Sequence, residues 1–256
     1  MEERLVRERN RGLNTTGLRT WALLFLVLSA AGRALLQNRL LELTGTTDLM
    51  AALDAEGGML MATIALILVI LESCATPLFS YLLVEGAKFT GNLNKYLLRV
   101  GALALVTEIP FNFAMSGKLV DLSTRNPVFG MLLALVLIWF YKKYEGKSAK
   151  AVMIKIMVTL AAMVWAVMLS VEHGGASLLI VVALWAFRNK PNLRNLMGGC
   201  ATMLCCLYSI TYLAAPMGFL LIHFYNGEKG PSRQTFHYLV YPAALLVIGI
   251  IGKFFL

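Results

Sequence analysis

Charge is what this sequence has least of. Only 14% of its 256 residues are Asp, Glu, Lys or Arg, against about 25% in a soluble domain. Acids are scarcer than bases, 14 against 23, and there are three histidines. So little charge excludes a water-soluble surface for a chain that is 59% hydrophobic, with a mean hydropathy of +0.72. Cysteine is also sparse. Cys74, Cys200, Cys205 and Cys206 sit in apolar stretches. They lack a paired C-x-x-C spacing and have no histidines at ligand spacing, so neither a disulfide framework nor a metal site is expected. There is no zinc-finger or other nucleic-acid motif, so the net charge of +9 does not point to nucleic acid. No soluble-type repeat, inverted repeat, P-loop or dinucleotide pattern appears. The N-terminal apolar run lacks an A-x-A cleavage site, which argues against a cleaved signal.

Long apolar runs are what the chain has in abundance. A helix that spans a bilayer needs about 20 mostly apolar residues. Such helices are predicted near 18–38, 58–85, 96–115, 127–143, 151–171, 176–188 and 235–255. The stretch 195–225 is too long for one ordinary span, and Pro216 after Ala214-Ala215 predicts a break into two short helices. The expected fold class is therefore an all-α integral membrane protein, one domain over 1–256, with eight or nine transmembrane helices. Residues 1–17 form a basic tail with Arg4, Arg7, Arg9 and Arg11. With that tail in the cytoplasm, the basic loops after the second, fourth and sixth helices are cytoplasmic too, and the acidic loop after the first lies outside. That alternation satisfies the positive-inside rule.

Charge in hydrocarbon is costly, so its presence is informative. Arg33 lies in the first helix and Glu72 in the second, and the two are expected to form an intramembrane pair, structural or functional. Glu85 and Glu108 lie near helix ends, where water can solvate them. His173 follows Glu172 in the turn between the fifth and sixth long helices, which reads most simply as a solvated loop. His223 and His237 flank the loop 226–234. A carboxylate beside a histidine is a weak signal for acid–base chemistry. Gly227 and Gly230 around Lys229, with Arg233 beyond, make a short loop whose backbone can approach a phosphate; an ordinary turn has the same composition.

Several stretches resemble the TraX-type membrane acetyltransferases, named for the F-pilin N-acetylase. The strongest is PLFSYLLVEGAKFTGNLNKYLLRVGALALVTEIPFNF at 77–113. NPVFGMLLALVLIWFY (126–141), FYNGEKG (224–230) and FHYLVYP (236–242) follow in the family's order. The resemblance implies acetyl transfer from acetyl-CoA to an amino group of a protein, peptide or sugar-amine acceptor, at the bacterial inner membrane. It implies that Tyr225, Asn226, Gly227, Lys229, Gly230 and Arg233 hold the CoA phosphates, and that a histidine is the base. The family's first helix carries Asp-His where this chain has Ser29-Ala30, its helix-2 arginine falls on Ser73, and its last-helix histidine falls on Ala244. Glu172 and His173 replace its Asp-Tyr turn and become the candidate catalytic residues. The charges look exchanged, with the base in helix 1 (Arg33) and the acid in helix 2 (Glu72). Two other functions stay open: a TraX-like scaffold or partner subunit that has lost acyl transfer, and a small transporter.

Overall fold

The computed structural model describes residues 12–34, 54, 57–230 and 234–254, and for residues 34, 234–237 and 254 the backbone alone. Helices α1 (Thr15–Ala34), α2 (Gly58–Glu72), α3 (Ala75–Phe89), α4 (Leu93–Ser116) and α5 (Val128–Lys143) are followed by α6 (Ala149–Met168), α7 (Gly174–Ala186) and α8 (Pro191–Cys205). A 3-10 helix (Ile210–Met217), α9 (Gly218–His223) and α10 (Gln234–Phe254) complete the chain. No β-strand occurs among the described residues. Four helical segments are long and apolar enough to cross a membrane: Thr15–Arg33, Gly58–Phe89, Leu93–Ser116 and Ala149–Met168. Large apolar side chains such as Leu98, Leu105, Val167 and Leu207 point outward, as a lipid-facing bundle requires. The chain is a helical membrane protein.

Local sequence explains where helices begin and break. Asn14, Asn92 and Ser148 each accept a backbone N–H three residues on, from Gly17, Lys95 and Ala151. These bonds satisfy amides that the first turn leaves orphaned. Pro191 begins α8, since a first-turn residue has no use for the missing N–H. The long helix predicted over 58–85 is interrupted at Ser73–Cys74. Pro77 lacks the N–H that would bond the Ser73 carbonyl, and the Ser73 and Cys74 amides tighten onto Ile70 and Leu71. The break in 195–225 falls at 206–209, ahead of Pro216, which is absorbed in the 3-10 helix. Ser209 caps that helix through Thr211.

Two ends of the bundle differ in charge. At one end the Lys142 ammonium donates to the Ala87 carbonyl, Lys88 to the Arg188 carbonyl, and Arg194 pairs with Glu85. Arg188 pairs there with Glu145. This basic end gathers the loops after α3, α5, α7 and α9. At the opposite end Arg125 bridges to Val171 and pairs with Glu108 at 2.8 Å. Glu85 and Glu108 are thus held by arginines instead of simply hydrated. The segment α8 runs out from the basic end, and the 3-10 helix and α9 return to it, since the Leu13 amide donates to the Phe224 carbonyl at 2.8 Å.

The core centres on a ring. Helices α1, α3, α5, α4 and α10 pack in that order, each on the next, and α10 closes on α1. α2 lies beside α1 with very close backbones: a Cβ on Gly32 would stand 2.6 Å from the Leu68 Cβ and 3.0 Å from the Ala65 carbonyl oxygen. Gly32→Ala is therefore expected to push the two helices apart and lower stability by about 1–3 kcal/mol. Thermal unfolding of the purified variant checks it; an unchanged midpoint would mean the contact yields freely.

Candidate functional site

The end of α1, the end of α2 and the turn before α7 converge at the end opposite the basic loops. Glu72 is buried, with 3% of its surface exposed. It accepts a hydrogen bond from the Ser29 hydroxyl at 2.6 Å and an ion pair from the Arg33 guanidinium. Arg33 also pairs with Glu172. His173 Nε2 stands 3.3 Å from the same Glu72 oxygen, and its Nδ1 is 2.5 Å from the Tyr212 hydroxyl. Glu172 and His173 enter the cluster because the chain folds back there: the Glu172 amide donates to Arg125 and the Val171 amide to Ala166. His173 adopts a left-handed backbone at φ 54°, which turns the chain into α7.

The electrostatics follow from the count. Two carboxylates face one guanidinium and one imidazole, in a setting where an unpaired charge is expensive. Glu72, Glu172 and His173 offer ligand atoms within 4.8 Å of one another, a spacing that a cation bridges. The Arg33 side chain is the cation placed between the two carboxylates. Ser29 stands where the resembling family has aspartate, and it supplies Glu72 with a donor instead of a second charge. Ala30 beside it is buried in the core.

The residues expected at the phosphates lie elsewhere, at the basic end. The loop carrying Tyr225, Asn226, Gly227, Lys229 and Gly230 is docked on the start of α1. The Asn226 amide donates to the Leu13 carbonyl at 2.9 Å, and the Thr15 amide and hydroxyl donate to the Glu228 carbonyl. Thr15 also shares a hydrogen bond with the Tyr225 hydroxyl at 3.0 Å. Gly230, at φ 68°, lets the loop pass so near that a Cβ would be 2.7 Å from the Asn14 amide nitrogen. Lys229 is exposed. Arg233 lies outside the described residues, as does the side chain of His237. His223 is exposed and stacks edge-on against Phe224, away from the carboxylate cluster.

Two neighbouring cavities lie between the two ends. The five-helix ring encloses a cavity of about 100 Å³, with Arg19, Tyr96 and Tyr238 among its lining residues. A smaller cavity of about 20 Å³, lined by Glu72, His173 and Ser177, shares the walls Leu26, Phe79 and Met131 with the first. Arg19 lies about one turn beyond the Thr15–Glu228 clamp, and ten residues of α1 separate it from Ser29, about 15 Å of helix. Sequence reasoning missed Tyr212, Tyr241 and Arg19. Tyr241 stood in the FHYLVYP block, but only the ring brings it to α1.

No curated protein and no solved structure matches the chain. A family profile described as TraX protein matches residues 17–252, nearly its whole length. That span includes every helix of the ring, the carboxylate–histidine cluster and the docked loop, and the chain belongs to the TraX family.

Proposed function

We propose that this protein transfers an acetyl group from acetyl-CoA to an amino group across the thickness of the bundle. The observation that carries this reading is the pair of cavities, one lined by Arg19 and the other by Glu72 and His173, with Leu26, Phe79 and Met131 lining both. By the positive-inside rule the basic end is cytoplasmic, in keeping with a bacterial inner membrane. CoA stays at that end, its phosphates near Lys229 and Arg19, and its pantetheine arm enters the ring. The acceptor, a protein, peptide or sugar amine, meets the thioester at the opposite end.

His173 is the base. Its Nε2 stands 3.3 Å from Glu72; in the tautomer that carries the proton on Nε2, the lone pair lies on Nδ1 and accepts from the Tyr212 hydroxyl. An amine that takes the place of that hydroxyl loses its proton to Nδ1 as nitrogen attacks the thioester carbon. The C–N bond forms, the C–S bond breaks, and the imidazolium returns the proton to the thiolate, releasing CoA. Glu72 holds the ring and stabilises its charged form. Arg33 and Ser29 hold Glu72.

A specific observation favours a second reading, a membrane scaffold without catalysis: Arg33 already satisfies both carboxylates, and the family's histidine positions hold Ala30 and Ala244. Ligand binding separates the two. Acetyl-CoA at 100 times its Kd is expected to stabilise the purified protein by about 2.7 kcal/mol, since it binds only the native state. No thermal shift at millimolar acetyl-CoA would leave the scaffold.

A further inference from the structure

Tyr241 is buried in α10, with 5% of its surface exposed, and it lines the large cavity. Its hydroxyl has no hydrogen-bond partner among the described residues. A phenol in a protein interior ordinarily finds one, because leaving the donor unmade is costly. The cavity is lined with hydrocarbon from Leu23, Leu26, Leu83 and Met131, and with the polar side chains Arg19, Tyr96 and Tyr238. Leu26 and Met131, which line the large cavity with Tyr241, also line the small cavity with Glu72 and His173. Tyr238, about one turn earlier on the same helix, lines the cavity with Arg19.

We infer that the Tyr241 hydroxyl is a catalytic donor, binding the thioester carbonyl oxygen of the acyl donor inside the ring. The inference rests on the acyl-transfer reading. In attack by an amine the carbonyl oxygen gains negative charge, and a fixed donor in a dry site stabilises it most when the charge is greatest. The carboxylates accept only, and both terminal nitrogens of the Arg33 guanidinium are committed to Glu72 and Glu172. Tyr212 faces His173. Tyr241 is a donor that lines the large cavity beside Arg19, Tyr96 and Tyr238, and its hydroxyl is free to meet the thioester there.

The test compares two probes on the full chain in nanodiscs: acetyl-CoA, which has the carbonyl, and CoA, which lacks it. Wild type is expected to bind acetyl-CoA about fivefold more tightly than CoA, the worth of one neutral hydrogen bond. In Tyr241→Phe that preference disappears while CoA affinity stays, which also shows that the variant is folded. The carbonyl stretch of carbon-13-labelled acetyl-CoA is expected at lower frequency when bound to wild type than when bound to Tyr241→Phe. A variant that keeps both the preference and the shifted stretch overturns the inference and leaves the acyl-transfer reading standing. Wild type that binds neither probe overturns both.

Discussion

Replacing Arg33 with Gln is expected to destabilise the folded protein by about 3–5 kcal/mol, the cost of leaving buried charge without its partner. Arg33 touches both Glu72 and Glu172, so its loss strands two carboxylates. Glu72→Gln removes one of those acids but leaves the guanidinium with Glu172. It should therefore cost less than Arg33→Gln, an ordering that a simple two-member pair would not produce. Folded proteins are stable by only about 5–15 kcal/mol, so the arginine variant should show a large drop in thermal midpoint and in yield from the membrane. Removing both charges together, as Arg33→Met with Glu72→Met, should recover part of the loss, because apolar replacements of a buried pair are often well tolerated. Comparing the two singles with the double gives the coupling energy directly. An Arg33→Gln protein that melts with the wild type would mean that these ion pairs do not form in the bilayer.

Acetyl transfer, measured with a surrogate amine, is expected to fall by about 100- to 10,000-fold in His173→Ala, the usual contribution of a positioned base. The effect should fall on turnover, with acetyl-CoA affinity little changed, because the proposed donor site runs along the ring to the basic end. A retained acetyl-CoA thermal shift in the variant separates lost chemistry from lost fold. Tyr212→Phe should be milder, since it removes only the hydroxyl that rests on Nδ1 and leaves the base in place. Glu72→Gln should lie between them, because it withdraws the charge that stabilises the imidazolium. Full activity in His173→Ala would remove the proposed base, as this is the histidine that the described side chains place beside Glu72.

The geometry also bears on the charge exchange with the family pattern. An acid in the first helix and an arginine in the second would meet at this contact; here the order is reversed and the contact persists, because Coulomb attraction does not depend on which helix carries which sign. The imidazole is the group that such an exchange does not preserve. His173, contributed by the turn before α7, brings an imidazole to Glu72 from another element altogether.

Much was legible in the linear sequence because the bilayer imposes harsh rules. Apolar runs of about 20 residues had to be helices, and charges at membrane depth had to pair, which singled out Arg33 and Glu72 from spacing alone. Pro77 accounts for the break at Ser73 by a local argument, four residues away. Pro216 shows the limit of that argument: a missing N–H is compatible with a 3-10 turn, so the chain broke at 206–209 instead. Glu172 as a second partner of Arg33, Tyr212 on His173, and the unpartnered phenol of Tyr241 were not legible. Each depends on which helices are neighbours, and loops of polar residues do not encode that order. The sequence by itself determined a helical membrane protein, its basic end and the charge pair of Arg33 with Glu72, because transfer of each segment into hydrocarbon is settled segment by segment. Only the tertiary structure decided that five helices close a ring and that one turn carries His173 to Glu72, because packing is settled between segments distant in the chain.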